Sequence, residues 1–268
     1  MAADEATGEE FFTIQPDRYK CILLDSQKVK FSSDSHFKSL LTESIKRWTN
    51  DGVRGLWVKI ALQHSSLVAI CAESGLDFHH AKPGYVRMKK WLHPSEADTL
   101  PNYANQYLGA AGFVVNDKEE VLVVQERFAR KAHWKLPGGL ADAGEDIGEA
   151  AEREVREETG ITCRFQSILC FRHQHQYNFG CSDLYFICLM KAESTQIKVC
   201  PNEIAVAQWM PIHEYINDPV VSDANRYFAE QYLKSKNCQT SIQASPVLAY
   251  TKDRFNQVYS AQCIEEES

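Results

Sequence analysis

The chain is expected to fold as α/β, and three observations carry that expectation. Short runs of β-branched and aromatic residues alternate with amphipathic stretches of helical period. A glycine-led loop, Leu136-Pro137-Gly138-Gly139, opens onto a helix-period segment that ends at Gly160. A chain of 268 residues, 44 % hydrophobic and 24 % charged, is long enough to build two modest cores.

The elements follow in order. Tyr19 to Leu24 reads as a strand. Asp34 then caps a helix that carries Phe37, Leu40, Leu41, Ile45 and Trp48 at helical spacing, and Asp51 and Gly52 end it. Gly55 to Leu62 is a second strand, Ser65 or Ser66 starts a helix closed at Gly75, and a hairpin runs from Leu76 to Trp91 around Pro83 and Gly84. These make a small α/β domain over residues 11–92, with a Pro-punctuated linker at 93–105. The second domain, 106–236, opens with a hairpin, Leu108 to Val115 and Val121 to Glu126, around Asn116 and Asp117. Strands at Phe165 to Gln174, Asp183 to Met190 and Val206 to Met210 follow the glycine loop and its helix, then helices at Ile212 to Asn217 and Ser222 to Lys234. Residues 237–268 show little periodicity and read as a tail, anchored if at all by Phe255, Val258 and Tyr259.

The chemistry concentrates between Gly139 and Ile161. Glu154, Glu157 and Glu158 stand at i, i+3 and i+4, so a helix converges three carboxylates on one face. Like charges at that spacing repel, and a hard divalent cation such as Mg²⁺ or Mn²⁺, which prefers oxygen ligands, relieves the repulsion. Arg153 can fork onto a neighbouring carboxylate and hold its rotamer. Ile147, Ala151 and Val155 form an apolar stripe that docks the helix on a core. The turn at Leu136 to Gly139 exposes carbonyls able to add a ligand. For the glutamates alone, an exposed acidic helix with a salt-bridging arginine is the better account.

The whole segment is far more specific. It fills G-x5-E-x7-R-E-apolar-x-E-E-x-G-apolar with Gly139, Glu145, Arg153, Glu154, Val155, Glu157, Glu158, Gly160 and Ile161. At average residue usage, chance produces that at a given start less than roughly once in ten million. The segment resembles the Nudix box. Phe78 to Leu92, Val121 to Arg127, Phe171 to Met190 and Glu203 to Tyr215 are further similar to one Nudix subfamily. That subfamily contains the plant ADP-ribose and NADH pyrophosphatases and the animal antisense basic fibroblast growth factor protein.

The resemblance implies a Nudix α/β/α sandwich with a mixed sheet, preceded by a smaller acetyltransferase-like pre-Nudix domain. It implies a hydrolase that cleaves a nucleoside diphosphate linked to another group, ADP-ribose or NADH first among them, and releases a nucleoside monophosphate. Glu154, Glu157 and Glu158 would ligate Mg²⁺ or Mn²⁺, with the carbonyl of Gly138 or Gly139 completing part of the shell. Arg153 would orient the carboxylates, and Glu145 would reach back across the loop to support them. The base that takes the proton from water would be Glu157 or a residue on a distant loop, and Glu203 matches a subfamily glutamate suited to an extra ligand or base.

Other residues offer contacts without deciding among them. Arg172 is placed to meet a phosphate, His173 and His175 share a strand face beside it, and Phe179, Phe113 or Trp134 could stack on a base. His79 and His80 are adjacent on a strand, so they are expected to face opposite ways and not to share a metal. An alternative class is a Nudix-fold nucleotide-binding or regulatory protein with little turnover. A third is acyl transfer by the first domain, but residues 11–91 contain no Q/R-x-x-G-x-G/A turn to hold coenzyme A, which leaves dimerisation or covering the cleft as its expected role. A homodimer is expected.

Composition narrows the partners. A formal charge of −7 argues against sequence-independent nucleic-acid binding, which needs a basic face. Nine scattered cysteines without a C-x2-C pair read as reduced thiols. No apolar run reaches 18 residues and the first ten residues are acidic, so the chain is expected off the membrane and in the cytoplasm, with the nucleus left open as a second compartment.

Overall fold

The computed structural model describes residues 10–263, which divide into two units between Ala104 and Asn105. The first holds β1 (Cys21–Asp25), α1 (Asp34–Asn50), β2 (Gly55–Ala61), α2 (Leu67–Glu73), β3 (Asp77–Lys82) and β4 (Tyr85–Trp91). Its sheet runs β1-β2-β4-β3, with β1 and β2 parallel and the other pairs antiparallel. Period-two alternation in β2 turns Leu56, Val58 and Ile60 inward, where they meet Phe37, Leu40 and Leu41 of α1. Ser33 rather than Asp34 caps α1: its Oγ accepts the His36 N–H at 3.1 Å, and Asp34 is the first helical residue.

The two adjacent histidines do not face opposite ways. A bulge shifts the β3–β4 register between Phe78 and His80, and an extra residue in a ladder cancels strict alternation. His79 Nδ1 and His80 Nδ1 therefore approach to 2.6 Å, and His80 stacks on Tyr103 with ring centroids 4.5 Å apart.

The second unit holds β5 (Gln106–Val115), β6 (Glu120–Glu126), β7 (Gly138–Leu140), α3 (Ile147–Thr159), β8 (Cys163–Gln174), β9 (Ser182–Ala192), β10 (Ile204–Pro211), α4 (Ile212–Asn217), α5 (Asp223–Ser235), β11 (Thr240–Leu248) and β12 (Phe255–Cys263). The sheet order is β10-β6-β5-β9-β8-β11-β12, with β7 paired to β5 and with β5 and β9 parallel. Alternation along β5 feeds both faces: Ala110 and Val114 pack with Ala150, Ala151 and Val155 of α3, and Ala111 and Phe113 pack with α4 and α5. The result is an α/β/α sandwich with a mixed sheet.

Two expectations change here. Gly138 and Gly139 are not a tight turn but the extended strand β7, held by β5 through Gly109↔Leu140, Ala110↔Gly139 and Ala111↔Gly138. The stretch read as a tail is the hairpin β11–β12, whose Ile242 pairs with Ile168 of β8. Tyr259 packs edge-on against Phe165, whereas Phe255 and Val258 stay exposed. Both hairpin strands lack a buried face, so no alternation marks them in the sequence. All nine cysteines are free thiols, and among the described residues no helix is long and apolar enough to cross a membrane.

Candidate active site

Local sequence sets α3. The Asp146 N–H donates to Glu149 Oε2 at 3.1 Å, pinning the first turn. Ala151 and Val155 are fully buried and Ile147 partly so, and burying a side chain the size of Val155 contributes about 1.5–3 kcal/mol. Gly160 ends the helix at φ 71°, a left-handed conformation that glycine adopts without steric cost. With the apolar stripe committed to the sheet, the acidic stripe faces β7.

Arg153 is the hub of that stripe. Nε and Nη2 fork onto the two oxygens of Glu145 at 2.8 and 2.9 Å. Nη1 donates to Glu154 Oε1 at 2.8 Å and to Glu157 Oε2 at 3.2 Å, and Nη2 reaches the Leu140 carbonyl at 3.0 Å. All five guanidinium donors are thereby engaged. The Arg153 bond to Glu145 holds that carboxyl below its usual range and pushes the guanidinium pKa up. Burial pushes the Glu154 carboxyl up, against the pull of Arg153.

Glu158 is buried and bonds to β7 rather than to Arg153. Its side chain is 7 % exposed, and burial, only partly offset by Lys135 and the Gly138 N–H, pushes its carboxyl up to about 7. Oε2 accepts the Gly138 N–H at 3.1 Å, and Oε1 lies 3.8 Å from Lys135 Nζ. In the antiparallel pairing of β5 and β7, Gly139 turns its polar groups toward Ala110. Gly138 turns its own groups away from β5, on the side of Glu158. Gly139 leaves the space that the Glu154 carboxylate occupies, since a Cβ there would sit 2.6 Å from Glu154 Oε1 and push it aside. No three acidic, histidine or cysteine side chains among the described residues converge tightly enough to enclose an ion by themselves.

Beside this cluster lies a cavity of about 440 Å³, walled by Lys135, Gly138, Gly139, Arg172, Asp183 and Tyr185. That volume suits a small-molecule site, which typically spans about 300–1,000 Å³. Arg172 Nη2 donates to Asp183 Oδ2 at 2.7 Å, and Asp183 is a buried carboxylate with a 3 % exposed side chain.

The remaining sequence candidates scatter. His173 and His175 do share a face, with ring centroids 4.4 Å apart, but neither lines the cavity; they bond Gln106 Oε1 and Ser182 Oγ. Phe179 is 95 % exposed on the β8–β9 loop, in a left-handed backbone with φ 54°. Glu203 is exposed just before β10, close enough to Glu154 to raise its carboxyl further. Phe113 is not available to a base, because it is fully buried and stacked on Tyr232 at 4.9 Å. Trp134 packs partly buried against the same core. Sequence reasoning passed over Lys135, Tyr177, Asp183 and Tyr185, all of the cavity wall. The signal that was present for two of them is a charge inside an apolar strand context: Lys135 between Trp134 and Leu136, and Asp183 before Leu184.

Comparison with known proteins shows the family. A family model described as Nudix hydrolase domain matches residues 12–92, and one described as NUDIX domain matches residues 105–232. Nudix hydrolase 2 of Arabidopsis thaliana is 44 % identical over 192 residues, covering 70 % of this chain and 69 % of that protein. Nucleoside diphosphate-linked moiety X motif 6 of Mus musculus is 40 % identical over 179 residues, covering 66 % of this chain and 57 % of that protein. Among solved structures, a NUDIX hydrolase from Nitrosomonas europaea is similar at 24 % identity and a TM-score of 0.42, over 49 % of this chain and 90 % of its own. The chain belongs to the Nudix hydrolase family, an assignment that rests on the sequence matches. It is accordingly a hydrolase of that family.

Proposed function

We propose that the chain hydrolyses the pyrophosphate bond of a nucleoside diphosphate linked to another group, ADP-ribose or NADH, and releases a nucleoside monophosphate. The observation that carries this reading is the Arg153 hub, which fixes Glu145, Glu154 and Glu157 beside the cavity through five donated bonds. A hub of that kind only lowers mutual repulsion; it adjoins the cavity through Leu140, whose carbonyl Arg153 holds, and Gly139, which lies against Glu154, and the cavity wall itself carries Lys135 and Arg172.

The donor set fits Mg²⁺ or Mn²⁺. Glu154, Glu157, Glu158 and the Gly138 carbonyl offer oxygens only, and Gly139 leaves the space that Glu154 needs. Because no three side chains enclose an ion alone, phosphate oxygens and waters have to supply the remaining ligands, as Mg²⁺ prefers. When bound, the ion neutralises phosphate charge and acidifies water. Glu157, 56 % exposed, is open to solvent and suited to accept the proton, with Glu203 as the alternative base. Arg172, held by Asp183, presents its guanidinium to a phosphate, and the exposed ring of Phe179 is free to cover a base. His173 follows Arg172 on β8 and His175 lies just past its end; outside the cavity wall, they would meet only a part of a dinucleotide that extends beyond it.

The test is product identification from ADP-ribose, NADH and coenzyme A in parallel, with Mg²⁺ and with EDTA. A nucleoside monophosphate that appears only with Mg²⁺ supports the reading. No metal-dependent product from any of them overturns it in favour of a binding module.

A further inference from the structure

We propose that Lys135 is a cation with two positions: a resting one on Glu126 and Glu158, and a working one on the diphosphate of the nucleotide. The inference rests on the pyrophosphatase reading of the site. Lys135 Nζ lies 2.5 Å from Glu126 Oε1 and 3.8 Å from Glu158 Oε1, so its firm tie is to Glu126, whose side chain is 46 % exposed. The backbone beneath it is fixed. Val124 N–H donates to the Lys135 carbonyl at 2.9 Å, and Lys135 N–H returns a bond to Val124 at 3.0 Å. A flexible four-carbon stem on a pinned Cα lets the ammonium swing while its root stays in the cavity wall.

The other two cations nearby have less freedom. Arg153 has all five donors in use, and Arg172 is fastened by Nη2 to buried Asp183. Lys135 is also the cation that shares an oxygen neighbourhood with Glu158, one of the carboxylates assigned to the divalent ion. An ammonium and a divalent cation compete for that oxygen, since like charges a few ångströms apart in a partly buried site repel strongly. With a divalent ion held on Glu158, Lys135 would turn toward the cavity, where a diphosphate would replace the negative charge the ammonium gives up. The same residue thus opposes metal binding in the free protein and favours nucleotide binding in the complex.

That double role gives an opposite-sign test in the full chain. Mn²⁺ affinity is measured by electron paramagnetic resonance without nucleotide, and ADP affinity by calorimetry with Ca²⁺ present, for wild type and Lys135→Met. Removing the charge should tighten Mn²⁺ binding about threefold or more and weaken ADP binding about tenfold or more. Lys135→Arg, which keeps the charge, should recover most of the ADP affinity. Glu126→Gln leaves the ammonium with Glu158 alone and should weaken Mn²⁺ binding, so the idea stays testable should Lys135→Met fail to fold. Unchanged affinities in Lys135→Met, or a parallel loss of both, overturn the proposal, because a merely structural lysine moves them together. Wild-type protein that binds neither Mn²⁺ nor ADP overturns the pyrophosphatase reading and the proposal with it.

Discussion

At the scale of single residues, exposure separates stability from turnover. Glu157 is 56 % exposed and holds Arg153 by one longer bond, so Glu157→Gln should change folding stability by no more than about 0.5 kcal/mol. Its turnover should nonetheless fall by orders of magnitude, because a carboxylate of the site loses its charge and keeps its shape. Arg153→Met should behave differently: it strands Glu145 and Glu154, each with a 15 % exposed side chain, and should cost at least about 2 kcal/mol in a urea titration. Equal melting of the two variants would contradict the hub. Glu158 adds a pH dependence. Burial raises its folded carboxyl to about 7 from an ordinary 4.5, so in EDTA the folded state keeps a proton that the unfolded chain has released. Stability must then fall as pH rises across that window, by on the order of 3 kcal/mol. Denaturant midpoints at pH 5 and pH 7.5 check it; the slope should largely vanish in Glu158→Gln, and a midpoint that rises with pH in wild type through this residue would refute the assignment.

At the scale of elements, the spacing between β7 and α3 governs the site. A methyl at position 139 would meet Glu154 Oε1 at 2.6 Å, whereas one at 138 would meet the Ala110 carbonyl at 2.5 Å. A carboxylate on a side chain can move aside and a sheet backbone cannot. Gly139→Ala should therefore fold nearly normally and lose activity by displacing Glu154, while Gly138→Ala should lose stability as well; melting temperatures and turnover of both variants decide it. These elements also show what a sequence displays. The helix α3 was legible because its stripe, its spaced glutamates and its terminal Gly160 are all local signals. Three-residue β7 is a strand only through its ladder with β5, about thirty residues earlier in the chain, and loop chemistry at Pro137 masks it. The β3 bulge that joins His79 to His80 and the two-sided exposure of β11–β12 leave no periodic trace either. Asp183 and Lys135 reach one cavity because β9 inserts beside β5, a consequence of topology that spacing along the chain does not encode.

At the scale of the whole molecule, the chain divides between Ala104 and Asn105 into two compact units, and fragments cut there test each by itself. Each has its own core: Phe37, Leu41, Leu56 and Ile60 in the first, and two clusters on opposite faces of the long sheet in the second. Every residue of the Arg153 hub and of the cavity lies in the second unit. A fragment of residues 105–268 should therefore fold cooperatively and retain Mg²⁺-dependent hydrolysis, with kcat/KM within about tenfold of the full chain, equivalent to less than about 1.4 kcal/mol of transition-state stabilisation. A fragment ending at Ala104 should fold on its own core and give no heat with coenzyme A, since its sequence has no glycine-rich turn to seat a pyrophosphate. The informative failure is a 105–268 fragment that melts cooperatively yet turns nothing over. That outcome would mean a side chain from the first unit, or from a second copy of the chain, completes the site, and Tm together with kcat for the mixed fragments would tell whether adding the first unit restores it.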